Sequence, residues 1–197
     1  MTTTFSPSAP TATPDRRWRT RDIVIAAVIG VSFGVVFAAW NLAYAGAEPL
    51  FLAAPWARDL LYGVWLVPAV LAPLIIRKPG AALFAEIVAA GVSALLGSVW
   101  GVDALLSGFL QGLGAEVVFA LTMYRFYTVP VLIAAALGSA TAAWLHDWAL
   151  YYAATDPAIQ VLRGVAMAVS AVVVVAFGSR ALARSLRRAG VLEGFPA

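Results

Sequence analysis

The run "IVIAAVIGVSFGVVFAAWNLAY", residues Ile23 to Tyr44, carries no charged side chain, and it decides what kind of protein this is. A hydrocarbon core about 30 Å thick is crossed by about 20 mostly apolar residues in a helix. This run is long enough to do so. A cleaved leader with its site at Ala43-Tyr44-Ala45 is the competing reading, but a leader's apolar region is only about 7–15 residues long, so a retained first span is expected.

The rest of the chain agrees. Of its 197 residues 62% are hydrophobic and 12% charged, with a mean hydropathy of +0.89, a balance foreign to water-soluble domains. The alternation that marks a membrane β-barrel is absent, so the spans are helices. Breaks at Gly46 to Arg58, Arg77 to Gly80, Ser98 to Asp103, Met123 to Thr128 and Tyr151 to Pro157 separate spans near 22–44, 58–76, 81–97, 103–122, 129–150 and 158–183. The expected architecture is an all-α, polytopic, six-helix membrane bundle at 21–185. A cytoplasmic N-terminal tail at 1–20, its Thr, Ser, Pro and Ala at 1–15 unable to bury a core, and a C-terminal tail at 186–197 complete it.

Basic residues set the orientation. Arg16, Arg17, Arg19 and Arg21 precede the first span, Arg77 and Lys78 follow the second, Arg125 the fourth, and Arg180, Arg184, Arg187 and Arg188 the sixth. All fall on one side, which predicts a multi-pass protein of the plasma membrane with both termini cytoplasmic. The arginines then read as topology signals and contacts to anionic lipid, not as a nucleic-acid surface. With no Cys and one His, thiolate metal sites are excluded and no metal or cofactor is expected. Without a GxxxxGK[ST] loop, any use of ATP falls to another chain.

Polar residues inside the spans point to a cavity, because such groups must face protein or water. Asp103, Ser107 and Gln111 recur every four residues on one face of the fourth span, opposite a stripe of Glu86, Ala90, Ser93 and Gly97 on the third. Aromatics gather in the outer half: Trp40, Tyr44, Trp56, Tyr62, Trp65, Trp100, Trp144, Trp148 and Tyr151, with Asn41, Asp59, His146 and Asp147 among them. An interfacial belt forms at both interfaces, whereas the inner one here has little beyond Trp18, Tyr124 and Tyr127. The asymmetry favours a site where rings and acids hold a flat, cationic heteroaromatic ligand. Simple interhelical hydrogen bonds remain the alternative for Ser107 and Gln111, and a structural or coupling role for Glu86 and Glu116.

On the first span Ala26, Gly30, Gly34 and Ala38 make a small-residue ridge. It permits close helix packing, either within the bundle or against a partner membrane protein. Catalysis is poorly supported: Ser139 and His146 lie about 10 Å apart along one helix, and no GxSxG motif occurs. Related halves with broken helices, expected of a stand-alone secondary transporter, are not apparent. A ligand-free membrane scaffold or assembly protein stays open.

The run "IIRKPGAALFAEIVAAGVSALLGSVWGVDALLSGFLQGLGAEVVFALTMYR", Ile75 to Arg125, resembles the YkoE-type substrate-binding subunits, or S components, of energy-coupling factor (ECF) transporters. The likeness extends more loosely to "RDIVIAAVIGVSFGVVFAAW" from Arg21 and to the outer end of the fifth helix. It implies a six-helix, non-enzymatic subunit that captures thiamine or its hydroxymethylpyrimidine (HMP) precursor, or another small heteroaromatic vitamin. Partners implied are a transmembrane T component, which the small-residue ridge would meet, and two cytoplasmic ABC ATPases. In that reading the loop Gly46 to Arg58 serves as an outer lid.

Overall fold

Lipid offers no partners to backbone N–H and C=O groups, so each crossing segment must satisfy its own. The computed structural model describes residues 16–195, and among these every regular element is helical. Helix α1 (Thr20–Gly46) is followed by a short 3₁₀ turn (Glu48–Phe51). A 3₁₀ helix (Pro55–Leu66) then runs straight into α2 (Val67–Ile76). Next come α3 (Ala81–Leu95), α4 (Asp103–Leu121) and α5 (Val129–Leu150). The last span joins α6 (Pro157–Ser170), a π-helical stretch (Ala171–Phe177) and α7 (Gly178–Arg188). Five of these segments are long and apolar enough to cross a membrane, and α3 is a shorter apolar helix. The expected all-α six-helix bundle is what the chain forms.

Helix α3 stops before residue 97 because Gly97 takes a left-handed φ of 88°. The Ser98 N–H then reaches back to the Ser93 carbonyl at 3.1 Å, closing the helix end. The second span is the axis of the bundle: 83% of its apolar window is buried, against 28% for α1, and every residue of α2 is buried. Its 3₁₀ half lies against the π-helical stretch of the last span. There Ser170 Oγ accepts from Gly63 N at 2.9 Å and donates to the Leu60 carbonyl at 2.6 Å.

The ridge on α1 has a definite occupant. A Cβ on Gly30 would stand 2.7 Å from Val88, and one on Gly34 2.4 Å from Val92 and 2.9 Å from the Ala89 carbonyl. Ala26, Gly30 and Gly34 are therefore buried against α3, with Ala38 half-buried beyond them. The expectation that these residues form a free docking face is corrected: close α1–α3 packing is what their small size permits. The side of α1 that remains outward carries Val24, Val28, Val31 and Val35.

Residues 1–15 of the expected N-terminal tail lie outside the described residues. From Arg16 the chain is tied down: Trp18 Nε1 donates to the Pro79 carbonyl at 2.9 Å, and its ring packs on Phe84. Beyond α7, Leu192 is buried and Arg21 lies over the Phe195 ring. Both of these chain ends meet at the arginine-rich end of the bundle.

Candidate functional site

At the opposite, aromatic end a cavity with about 660 Å³ of free space, mouth included, opens between α1, the 3₁₀ helix, α3, α4 and α5. The Asp103, Ser107, Gln111 stripe faces the Glu86, Ala90, Ser93 stripe across it. Gly108 makes room for this approach, because a Cβ there would meet Ala90 at 2.6 Å.

Hydrogen bonds organise three sides of the cavity. Asn41 Nδ2 donates to Ser93 Oγ at 3.3 Å and Ser98 Oγ at 3.2 Å, while its Oδ1 accepts from Trp65 Nε1 at 3.0 Å. Trp65 in turn stands edge-on between Tyr44 and Tyr62, ring centroids 4.8 and 5.2 Å away. Gln111 Nε2 donates to Ser107 Oγ at 2.7 Å and to the Tyr62 hydroxyl at 3.4 Å, and that hydroxyl donates to Asp147 Oδ1 at 3.4 Å. On the third side His146 bridges two acids, Nδ1 at 3.0 Å from Asp147 Oδ1 and Nε2 at 3.2 Å from Asp103 Oδ1. The Tyr151 hydroxyl donates to Asp103 Oδ2, and the Trp100 ring leans on Tyr151 with centroids 5.6 Å apart. Burial, followed by that hydrogen bond to Asp103, pushes the Tyr151 phenol above its ordinary value, so it remains a donor.

The electrostatic consequence is simple. With both aspartates ionised, one imidazole between them leaves net negative charge whether or not it carries a second proton. Glu86 stands on the cavity wall. It is wholly buried, and neither carboxyl oxygen has a hydrogen-bond partner.

Asn41, Tyr44, Tyr62, Trp65, Ser93, Trp100, Asp103, Ser107, Gln111, His146, Asp147 and Tyr151 thus line one cavity. The other expected site residues stand elsewhere. Trp40 donates through Nε1 to the Leu61 carbonyl at 3.0 Å. Trp144 donates to the Gln160 carbonyl at 3.0 Å and covers Gly164, with Trp148 packed on it at 5.0 Å between centroids. Those two rings fill the seam between α5 and α6 because their shared helical face turns that way. Asp59 is engaged by Arg163, Nε to Oδ2 at 2.7 Å, and Trp56 borders a second cavity with it. Lining residues not expected are Phe37, Ser98, Ala104 and Gly108; Tyr152, one of the outer-half rings in the sequence, and Glu86, read from sequence as open between structure and coupling, complete the wall. Phe37 sits one turn before Asn41, and Tyr152 beside Tyr151, so helical neighbourhood was the available signal. Among the described residues no group of His, Cys, Asp and Glu is arranged to hold a metal ion.

A family model described as the permease component of an ABC-type cobalt transport system matches residues 21–142. Of curated relatives, YkoE of Bacillus subtilis (strain 168), by its name a candidate HMP/thiamine permease, is 37% identical over 180 residues, 91% of this chain and 89% of that protein. The chain belongs to the YkoE-type family. A crystal structure of an S component of an ECF transporter superposes with a TM-score of 0.86 and 37% identity, covering 90% of each chain. As an S component, this protein is a multi-pass membrane subunit that binds substrate for an ECF transporter.

Proposed function

We propose that this S component captures thiamine or its HMP precursor from outside the cell in the acid-lined cavity. The observation that carries this reading is His146 held between Asp103 and Asp147 in a chamber walled by Trp65, Tyr62, Trp100 and Tyr151. A thiazolium cation suits the net negative charge there, and a pyrimidine ring finds both aromatic faces and amide or hydroxyl partners in Asn41, Ser93, Ser107 and Gln111. The name borne by the YkoE relative supports the same ligand class. Neutral HMP uses fewer of these groups, so thiamine binds the more tightly.

The subunit does no chemistry of its own. A T component and two cytoplasmic ABC ATPases reorient it, and release follows from a shift between states of different affinity. Both termini lie in the cytoplasm, where the arginines are. The segment 47–57 covers the outer side, its Glu48 reaching Arg58 at 3.5 Å. Domain limits near 21 and 185 mark the membrane-embedded part, with 1–20 and 186–197 as cytoplasmic extensions.

Titration of purified protein with thiamine tests the reading through tryptophan fluorescence, since Trp65 and Trp100 both face the cavity. Saturable quenching that HMP reproduces more weakly is expected. No quenching, no ligand-induced rise in melting temperature and no copurifying T component would return the protein to the scaffold class. Because the chain lacks cysteine, single Cys replacements at Ser98 and Ser185 report orientation by impermeant maleimide labelling of intact cells, with only the former expected to react.

A further inference from the structure

A second cavity lies beside the first at the aromatic end, with about 890 Å³ of free space including its mouth. Charges of both signs line it, Glu48 and Asp59 among them. Two guanidinium groups border it, Arg58 and Arg163, while Tyr44 and Tyr152 belong to the walls of both cavities. Arg163 is 5% exposed. Asp59 accepts from its Nε at 2.7 Å and from Nη2 at 3.4 Å, and its Cζ lies 3.4 Å from the Tyr152 ring centroid. Its Nη1 is buried with no acceptor. Arg58 rests on the Tyr44 ring, Cζ 4.4 Å from the centroid. Its ionic partner is Glu48 at 3.5 Å, whose side chain is 69% exposed. An exposed pair of that kind holds weakly and yields to a better anion.

A buried guanidinium with a free N–H₂ edge, near a second guanidinium, matches the oxygens of a phosphoryl group. We propose that the second cavity is an oxyanion subsite that seats the phosphoryl group of a phosphomonoester ligand, whose cationic ring occupies the first cavity. This rests on the reading of the first cavity as a thiamine site. The hydroxyethyl arm passes over Tyr44 and Tyr152, and the ester phosphate takes Arg163 Nη1 and replaces Glu48 on Arg58. The phosphate thereby takes the place of Glu48 as counter-ion to Arg58, in a chamber that adjoins the acid-lined one.

Calorimetric titration of the full chain in detergent with thiamine monophosphate, thiamine and inorganic phosphate tests this. The monophosphate is expected to bind about tenfold more tightly than thiamine, Arg58→Gln to erase that gain, and thiamine's own affinity to be unchanged in the variant. Arg163→Gln serves only as a second probe, because loss of the Asp59 partner can impair folding. A monophosphate no tighter than thiamine overturns the proposal, as does a gain that survives Arg58→Gln. A gain seen in detergent but abolished in phosphatidylglycerol nanodiscs assigns the arginines to lipid headgroups and overturns it too. Should neither thiamine nor its ester bind, the thiamine reading fails by itself. Saturable inorganic phosphate binding that Arg58→Gln abolishes then keeps the oxyanion subsite, and absence of it ends the subsite.

Discussion

Both ends of the bundle bury carboxylates, and their partners differ in kind. At the arginine end Asp22 accepts from Arg19 N at 2.9 Å and lies 3.8 Å from Lys78 Nζ. Glu116, reaching from α4, closes the start of α3: its oxygens accept from Gly80 N at 2.5 Å and Ala82 N at 3.0 Å, and from the Tyr124 hydroxyl at 2.8 Å. Those acids satisfy orphan donors at helix starts and meet the positive ends of helix dipoles. At the aromatic end Asp103 and Asp147 share one imidazole, and Glu86 has no partner. Backbone N–H partners mark an acid that holds the fold, whereas the side-chain partners of Asp103 and Asp147, His146, Tyr62 and Tyr151, mark an acid that lines the cavity.

The sharpest way to break this distinction is Asp147→Asn. Loss of a carboxylate that is paired and faces the ligand is expected to weaken thiamine by about 3 kcal/mol, near a hundredfold, by fluorescence titration. A change under about threefold would remove the acid from the site. Next comes Glu86→Met. Replacing an unpartnered buried polar group with an apolar one of similar length is expected to stabilise the empty protein by about 1–3 kcal/mol. That is a rise in melting temperature of about 2–4 °C per kcal/mol, together with weaker thiamine binding. A fall in melting temperature would reveal an unseen structural role.

Glu116→Gln supplies the contrast. It is expected to lower stability by about 1 kcal/mol, the scale of a lost helix cap, and to leave thiamine affinity within a factor of about two. Unequal effects in the opposite sense would merge the two classes of acid. The smallest effect concerns Tyr124. Burial, and then its hydrogen bond to Glu116, pushes this phenol up to about 12. A raised value favours the protonated form in the folded state, so its contribution is complete below about pH 10 and lost as pH climbs through 12. Melting curves of wild type and Tyr124→Phe are expected to diverge below that window and converge above it.

Hydropathy and arginine placement made the six spans readable, since the bilayer imposes length and composition on each one. Four-residue spacing likewise located the Asp103, Ser107, Gln111 stripe and its counterpart on α3. What spacing could not decide is which way a face turns. Trp144 and Trp148 share a face just as clearly, yet it meets α6, and the α1 ridge meets α3 instead of a partner. Partner choice is also invisible in one dimension: Asp59 and Arg163 lie 104 residues apart, and only the packed helices bring them to 2.7 Å. Docking through the α1 ridge would therefore require α1 and α3 to part first.

The tight winding of Pro55–Leu66 has a consequence for aim. At three residues per turn, positions three apart eclipse one another, so Asp59, Tyr62 and Trp65 stack as a single column, the first bordering the arginine-lined chamber and the others the acid-lined one. Relaxation to ordinary α pitch would fan the column by about 60° at each step of three. Tyr62 and Trp65 would then leave the column by different angles, breaking up one wall of the chamber through a change of coil rather than a hinge.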